Sequence, residues 1–499
     1  MKVVKGNLLY RTLLNRKRMA DKMYTADSIF YNGGEWYGDF QGRAILALTS
    51  LYNALEGYPD EQQNILKQLQ DIFSRIDNYL NPNKYFGSLF NEEFVDEQQL
   101  AGNSWFIRGL IEYYRIVKDE KILGYLKSIV DKYLIPIAPL FESYPIGKRK
   151  EGGVSGNLDN KVKSKWKVST DAGCAFISLD GYTAAYELLK DTRLKPIIEY
   201  LIEKFSNIDF LNLQYQTHAT LSCTRAILRY YKISKEKSYL DLAIKIFKTY
   251  QDYGLTYDYS NINWFNRPNT WTEPCCIIDS LIVCKNLYFE TKQKEYLDLF
   301  NRIYVNSLRT FQRNNGGAGC STCATGDKYE LKVHLYEAFF CCTMRLGEGL
   351  KEIIDFSIYN QEDKYFIPFL NDFYYHDASI EIEVQADVYR SESIIIDVKN
   401  INHPVALMIR IPPNTTIEGY DVINEFIMVS LKEKGIIKIT YNSAISNKDG
   451  LIFKGDKMLT KKVNNVDSFF IINNNKYSYL YDNSQFSEEE LSQRIQYVK

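Results

Sequence analysis

Five stretches decide the fold: YNALEGYPDEQQNILKQL (Tyr52–Leu69), YRIVKDEKILGYLKSIV (Tyr114–Val130), YELLKDTRLKPIIEYL (Tyr186–Leu201), YKISKEKSYLDLAIKIF (Tyr231–Phe247) and YFETKQKEYLDLF (Tyr288–Phe300). In each, an apolar helix ends near a tyrosine, charged residues make a short turn, and a second amphipathic helix follows. Each is therefore a helical hairpin. The tyrosines step along by 62, 72, 45 and 57 residues. A tetratricopeptide solenoid would hold a period of about 34 residues, so that array is disfavoured. Hairpins separated by long, uneven loops suit a toroid. A sixth hairpin is supplied by the helix after Cys341 paired with the N-terminal segment. The expectation is an (α/α)6 barrel over residues 1–358.

Beyond about residue 358 the pattern changes. IEIEVQADVYRSESIIIDVKN (Ile380–Asn400), VALMIRIPP (Val405–Pro413), FIMVSLKEKGIIKITYN (Phe426–Asn442) and GLIFKGDKMLTKKV (Gly450–Val463) alternate apolar and polar residues. Asn, Asp, Gly and Pro separate them, as between antiparallel strands. Residues 359–499 are expected to form an antiparallel β-sandwich, with FSEEELSQRIQYVK (Phe486–Lys499) a short surface helix.

The 499 residues carry a formal net charge of −1, with both signs mixed along the chain, which argues against nucleic acid or an anionic membrane as partner. No run is long and apolar enough for a transmembrane helix, and the first residues lack a signal peptide's apolar core. Nine cysteines are too few for a disulfide scaffold, and one must stay unpaired. The chain reads as cytoplasmic, or as periplasmic or secreted if a signal has been trimmed. Forty tyrosines and 27 phenylalanines suit stacking on sugar rings, and equally a Lys-, Ile- and Asn-rich genome.

Three hairpins open on unusual residues. STDAGCAFISLDG places Asp171 after the capping residues Ser169 and Thr170. YQTHATLSCTRA places His218 after Thr217. NTWTEPCCIIDSL caps a helix with Thr272 and puts Glu273, Pro274, Cys275 and Cys276 in its first turn. Inner helices of an α/α toroid run parallel, so these starts share one mouth, with Trp36, Trp264 and Trp271 nearby. Glu273 and Cys275, with the adjacent Cys341 and Cys342 of FFCCTMRLGEGL (Phe339–Leu350), supply one carboxylate and three thiolates, a set that zinc binds tetrahedrally. The same cysteines read equally as small buried apolar residues. GGAGCSTCATGD adds Cys320 and Cys323, which with Cys341 and Cys342 make a four-thiolate structural site arithmetically possible.

WYGDFQGRAILALTSLYNAL, STDAGCAFISLDGYTAAYELLKD, QTHATLSCTRAILRYYKISKEKSYLDLA, TEPCCIIDSL and FFCCTMRLGEGL, in this order, resemble the β-L-arabinofuranosidase family of bacterial glycoside hydrolases, family 127, over most of residues 35–455. VALMIRIPP resembles a strand of its sandwich domain. The resemblance implies a retaining glycosidase acting on an oligosaccharide or glycoside. It implies zinc held by Glu273, Cys275, Cys341 and Cys342, Cys341 as nucleophile, and His218 toward the substrate; the shared mouth adds Asp171, Trp36, Trp264 and Trp271 as expected substrate contacts. The family carries an acid/base glutamate upstream of its Glu-x-Cys. Here YGLTYDYSNINWFNRPNTW (Tyr253–Trp271) has none, and Asp258 is its only acid and the expected proton donor. That departure leaves two alternatives: a barrel hydrolase or lyase using carboxylates with structural or no zinc, and a non-catalytic carbohydrate-binding relative.

Overall fold

The computed structural model describes residues 1–149, 158–326, 330–331, 333–362, 364–448, 450–463, 466–468 and 478–479. The helix expected over Phe486–Lys499 lies outside them.

Among the described residues, twelve helices of nine residues or more build the first part: α1 (Gly6–Met19), α2 (Asp39–Ala54), α3 (Pro59–Arg75), α4 (Glu97–Val117), α5 (Glu120–Ile129), α6 (Ser178–Leu189), α7 (Leu194–Ser206), α8 (Thr217–Ser234), α9 (Lys237–Tyr253), α10 (Pro274–Thr291), α11 (Lys294–Arg302) and α12 (Cys342–Asp355). α2, α4, α6, α8, α10 and α12 each pack against the next, and α12 packs back on α2. The remaining six back this ring from outside, with α1 against both α12 and α2. This is the expected (α/α)6 arrangement, including the sixth pairing of the chain's first helix with the one after Cys341.

Burial separates the two rings. In α8 every residue from Thr217 to Leu228 is buried, whereas α9 buries only the stripe Leu240, Ala243, Ile246, Phe247 and Tyr250. An inner helix has neighbours on all sides, and an outer helix hides one face. Where inner helices cross most closely, glycine is needed. A Cβ on Gly42 of α2 would lie 2.2 Å from the Phe106 nitrogen of α4.

The turns share a device. α4, α6, α8 and α10 end at Lys118, Lys190, Lys235 and Lys292, all left-handed (φ 54°, 56°, 62° and 58°). Each lysine N–H donates to the carbonyl of the tyrosine four residues earlier, the recurring tyrosine of the hairpin pattern. Glycine usually fills this position. The lysine ammonium lies over that tyrosine's ring at Tyr114 (5.4 Å) and Tyr288 (5.7 Å).

The second part is a two-sheet sandwich. One sheet runs Lys2–Val4, Phe373–His376, Ile380–Gln385, Ser393–Ile401, Gly435–Ser443, Thr415–Ile417, all antiparallel. The other runs Phe426–Leu431, Val405–Arg410, Lys364–Ile367, Tyr359–Gln361. Its inner pairing, Val405–Arg410 on Lys364–Ile367, is parallel rather than antiparallel as expected, because the chain crosses the opposite sheet between those strands. Ile382, Ile394, Ile396, Leu407, Ile409 and Ile427 fill the space between the sheets. Residues 2–4 thus join the sandwich rather than the barrel, with Val3 opposite Tyr374. A further sheet around Leu451–Lys454 and Lys457–Val463 rests on the barrel, where the Met458 N–H donates to Asn306 Oδ1 (2.9 Å). Among the described residues no helix is long and apolar enough to cross a membrane.

Candidate active site

The starts of the inner helices gather at one end. Glu97 at the head of α4 accepts from the Ser169 N–H (2.8 Å) and the Ala175 N–H (3.1 Å) of the segment leading into α6. The Gln216 N–H before α8 donates to the Ala172 carbonyl (3.1 Å), and the Thr217 N–H donates to the Asn263 carbonyl (3.0 Å) of the loop leading to α10. Asp171, His218 and Glu273 are brought to one mouth, as the helix-start argument requires.

Three sulfurs converge there. Cys275 Sγ lies 3.3 Å from Cys342 Sγ, and Cys341 Sγ lies 3.4 Å from Cys342 Sγ. Cys275 and Cys342 are buried, while Cys341 is half-buried. Cys275 sits in the first turn of α10, Cys341 caps α12 and Cys342 begins it. The exposed N–H groups and dipole of a helix start favour a negative sulfur. Hydrogen bonds from Cys275 and Cys342 pull the Cys341 thiol down to about 5, against its burial, and Arg43 adds to the pull. Burial pushes Cys275 up to about 11, and it pushes Cys342 well above the ordinary thiol value as well. Without metal the three sulfurs therefore share one negative charge, centred on Cys341.

The carboxylate sits at the edge of this triangle. His218 Nδ1 lies 3.2 Å from Glu273 Oε1, and the Gln216 amide donates to Oε2 at 3.5 Å. With the Asn263 amide oriented to suit its neighbours, its nitrogen donates to Glu273 Oε2 (2.7 Å) and its oxygen accepts from Trp271 Nε1 (3.2 Å). Two groups of donor atoms lie within 4.8 Å of one another: Cys275, Cys341 and Cys342, and His218, Glu273 and Cys275. Cys275 belongs to both. The donors suit zinc, since the sulfur spacings approach the ~3.8 Å edge of a tetrahedron with ~2.3 Å zinc–sulfur bonds. Cys320 and Cys323 are in neither group among the described residues. Cys323 Sγ instead points at the Asn261 carbonyl (3.6 Å). Cys174, Cys223, Cys276 and Cys284 are buried.

Other expected residues fall as follows. Asp171 is buried, its N–H donating to Ser169 Oγ (3.2 Å). Trp36 and Trp271 are half-buried. Trp264 is 2 % exposed, edge-on to Trp271 (5.4 Å) with the Arg267 guanidinium over its ring (4.3 Å), so its face is closed to a stacking sugar. Asp258 is fully buried. Its two oxygens accept from Thr256 Oγ1 (2.5 Å) and Ser260 Oγ (2.7 Å), and its carbonyl from Ser307 Oγ (2.8 Å). Burial raises its carboxyl above the ordinary value, with the two hydroxyls opposing.

In the layer beneath, Arg43, Trp105, Arg108, Arg225 and Asp279 are the residues that sequence reading left unassigned. Asp39 on α2 grips Arg43 Nε through both oxygens (2.9 and 2.8 Å), and Arg43 reaches Cys275 Sγ (3.6 Å). Arg43, Arg225 and Arg345 surround the Trp105 ring at 4.1, 5.5 and 4.7 Å, and Trp105 stacks on His218. Below, Asp180 accepts from Arg108 and Arg225 (2.6 Å each) and from Arg229. Asp279 pairs with Arg225 (3.1 Å) and Arg345, and lies 3.5 Å from His218 Nε2. Burial alone would raise the Asp180 carboxyl, yet its three arginines hold it well below the ordinary carboxylate range. It is therefore a fixed anion and no proton donor. Asp180→Ala would leave the buried Arg108 and Arg225 and the half-buried Arg229 short of a counter-charge, so we expect a loss of about 3–5 kcal/mol, read as a lower urea midpoint.

No protein-family model matches the sequence, and no curated protein does. Solved structures do. A glycoside hydrolase family 127 β-arabinofuranosidase superposes with a TM-score of 0.61 at 13% identity, covering 90% of this chain and 79% of its own. The family 127 β-L-arabinofuranosidase from Geobacillus stearothermophilus T6 gives 0.58 at 11%, over 90% and 80%. A structure described as a glycoside hydrolase gives 0.63 at 10%, over 92% and 81%. Barrel, sandwich and their order along the chain therefore give this protein the fold of the family 127 β-L-arabinofuranosidases.

Proposed function

We propose that the protein is a glycosidase that removes a terminal sugar from a glycoside, with Cys341 as nucleophile and zinc held by Glu273, Cys275, Cys341 and Cys342. The observation that carries this reading is the sulfur triangle at the barrel mouth, in which one cysteine is half-buried while the other two are buried. The fold shared with the β-L-arabinofuranosidases supports it and suggests a furanoside. Bound zinc would keep its sulfurs deprotonated at neutral pH.

The chain's own residues supply the rest. Cys341 Sγ attacks the anomeric carbon, the bond to the leaving oxygen breaks, and water later releases the sugar from sulfur, so configuration is retained. Arg43, held by Asp39, sets a positive charge against Cys275 and keeps the buried sulfurs oriented. Glu273 is fixed by His218, Gln216 and Asn263, and His218 is backed by Trp105 and Asp279. The leaving oxygen needs a proton. Asp258, tied by two hydroxyls of its own loop, fits the part of a loop anchor, and we assign proton donation to Asp171 at the mouth.

The test is hydrolysis of 4-nitrophenyl β-L-arabinofuranoside followed by proton NMR of the first sugar released. Retained configuration is expected. Inversion would overturn the nucleophile, and the absence of turnover on this and other 4-nitrophenyl furanosides would overturn the glycosidase.

A further inference from the structure

Seven aromatic side chains among the described residues are exposed: Tyr10, Tyr31, Tyr37, Phe94, Tyr253, Phe339 and Phe340. Five of these, all but Tyr10 and Tyr253, lie on the segments that lead into α2, α4 and α12, three neighbouring inner helices whose starts form one side of the mouth. Scattered exposed aromatics are ordinary; a group confined to one rim is not.

Named contacts tie these segments together. The Tyr24 hydroxyl donates to the Phe339 carbonyl (2.8 Å), joining the segment before α2 to the one before α12. The Tyr31 and Tyr79 hydroxyls share a hydrogen bond (2.9 Å), and Tyr37 packs against Gly87, joining it to the segment before α4. Phe339 and Phe340 stand edge-to-face at 5.4 Å, 38 % and 40 % exposed. Phe340 directly precedes Cys341. Tyr37 is two residues before Asp39, whose Arg43 reaches Cys275. The aromatic rim is thus continuous with the sulfur site. On the opposite side Trp264 is buried and Trp271 half-buried, so exposed aromatic surface is concentrated on one wall.

We propose that this wall binds the sugar on the leaving side of the scissile bond, so that the substrate is an oligosaccharide whose second ring lies across Phe339, Phe340 and Tyr37. The apolar face of a sugar ring packs on exposed aromatic rings, while its hydroxyls stay in water. This rests on the glycosidase reading of the previous subsection.

The experiment compares kcat/KM for methyl β-L-arabinofuranoside and for a β-L-arabinofuranosyl disaccharide, in the wild type, the Phe339→Ala/Phe340→Ala double variant and Tyr10→Ala. The wild type and Tyr10→Ala should favour the disaccharide by about tenfold, and the double variant by less than about threefold. A preference kept in full by the double variant, or absent from the wild type, overturns the wall. If neither compound is cleaved, the glycosidase reading or its sugar is at fault, and the wall is tested by affinity electrophoresis through gels containing arabinan, xylan or pectin. Retardation of the wild type that the double variant loses supports it, and no retardation on any of the three overturns it.

Discussion

Cys341→Ser should lower kcat by at least ~10³-fold while leaving the helical circular-dichroism signal and the melting temperature of the metal-loaded protein close to those of the wild type. The expectation follows from position. Of the three clustered sulfurs only Cys341 is partly open, and it is the one on which negative charge collects, because Cys275 and Cys342 both donate to it and Arg43 stands behind them. A serine hydroxyl there keeps an oxygen donor but is almost wholly protonated at neutral pH, and it lacks sulfur's polarisable lone pairs. Cys342→Ser separates the roles. Cys342 is buried, so its loss should weaken the metal before it touches the reacting carbon. Iodoacetamide gives an independent check: Cys341 should alkylate first, and prior incubation with substrate should slow the reaction. Full turnover by Cys341→Ser would remove the nucleophile from Cys341 and leave the sulfur triangle a structural feature.

The barrel was legible because its signals are local. A tyrosine, a charged turn and a resumed apolar stripe are readable within twenty residues, and four of the five turns close by a bond from residue i+4 back to that tyrosine. The lysines at those turns went unread as caps because left-handed ends are expected to be glycine. The mouth was legible at one remove, since parallel inner helices must share their starts, and Asp171, His218 and Glu273 followed from that. What lies beneath was not. Arg108 and Arg225 look like solvent-facing charges within helical text, and their burial comes only when the ring closes and brings together partners 45 to 240 residues apart. The surroundings of Asp258 were hidden for a related reason. A lone carboxylate before Glu273 suggests a proton donor, but Thr256 and Ser260, each two residues away, turn it inward to hold its own loop. The N-terminal strand was also hidden, because three residues carry too little pattern to show that they complete a sheet starting 369 residues later.

The purified protein should contain about one zinc per chain by elemental analysis. Glu273→Ala should bind it more weakly by about 100-fold or more, and Cys275→Ser should lose it on dialysis. The two variants differ because their side chains stand differently in the site. Glu273 lies at the edge of the sulfur triangle, its oxygens already engaged by His218, Gln216 and Asn263, so removing it takes away one donor and leaves three sulfurs in place. Cys275 is the atom shared by both donor groups, and without it neither set of three is complete. A metal bound only by the native state also adds to stability. Chelation should therefore lower the melting temperature of the wild type, lower that of Glu273→Ala by less, and leave that of Cys275→Ser unmoved. Zinc retained fully by both variants would place the metal elsewhere in the chain. A wild type that neither contains zinc nor is stabilised by added zinc would return Cys275, Cys341 and Cys342 to the status of packed thiols. The one-charge arrangement of the metal-free sulfurs would then be their working state, with Arg43 as the cation that supports it.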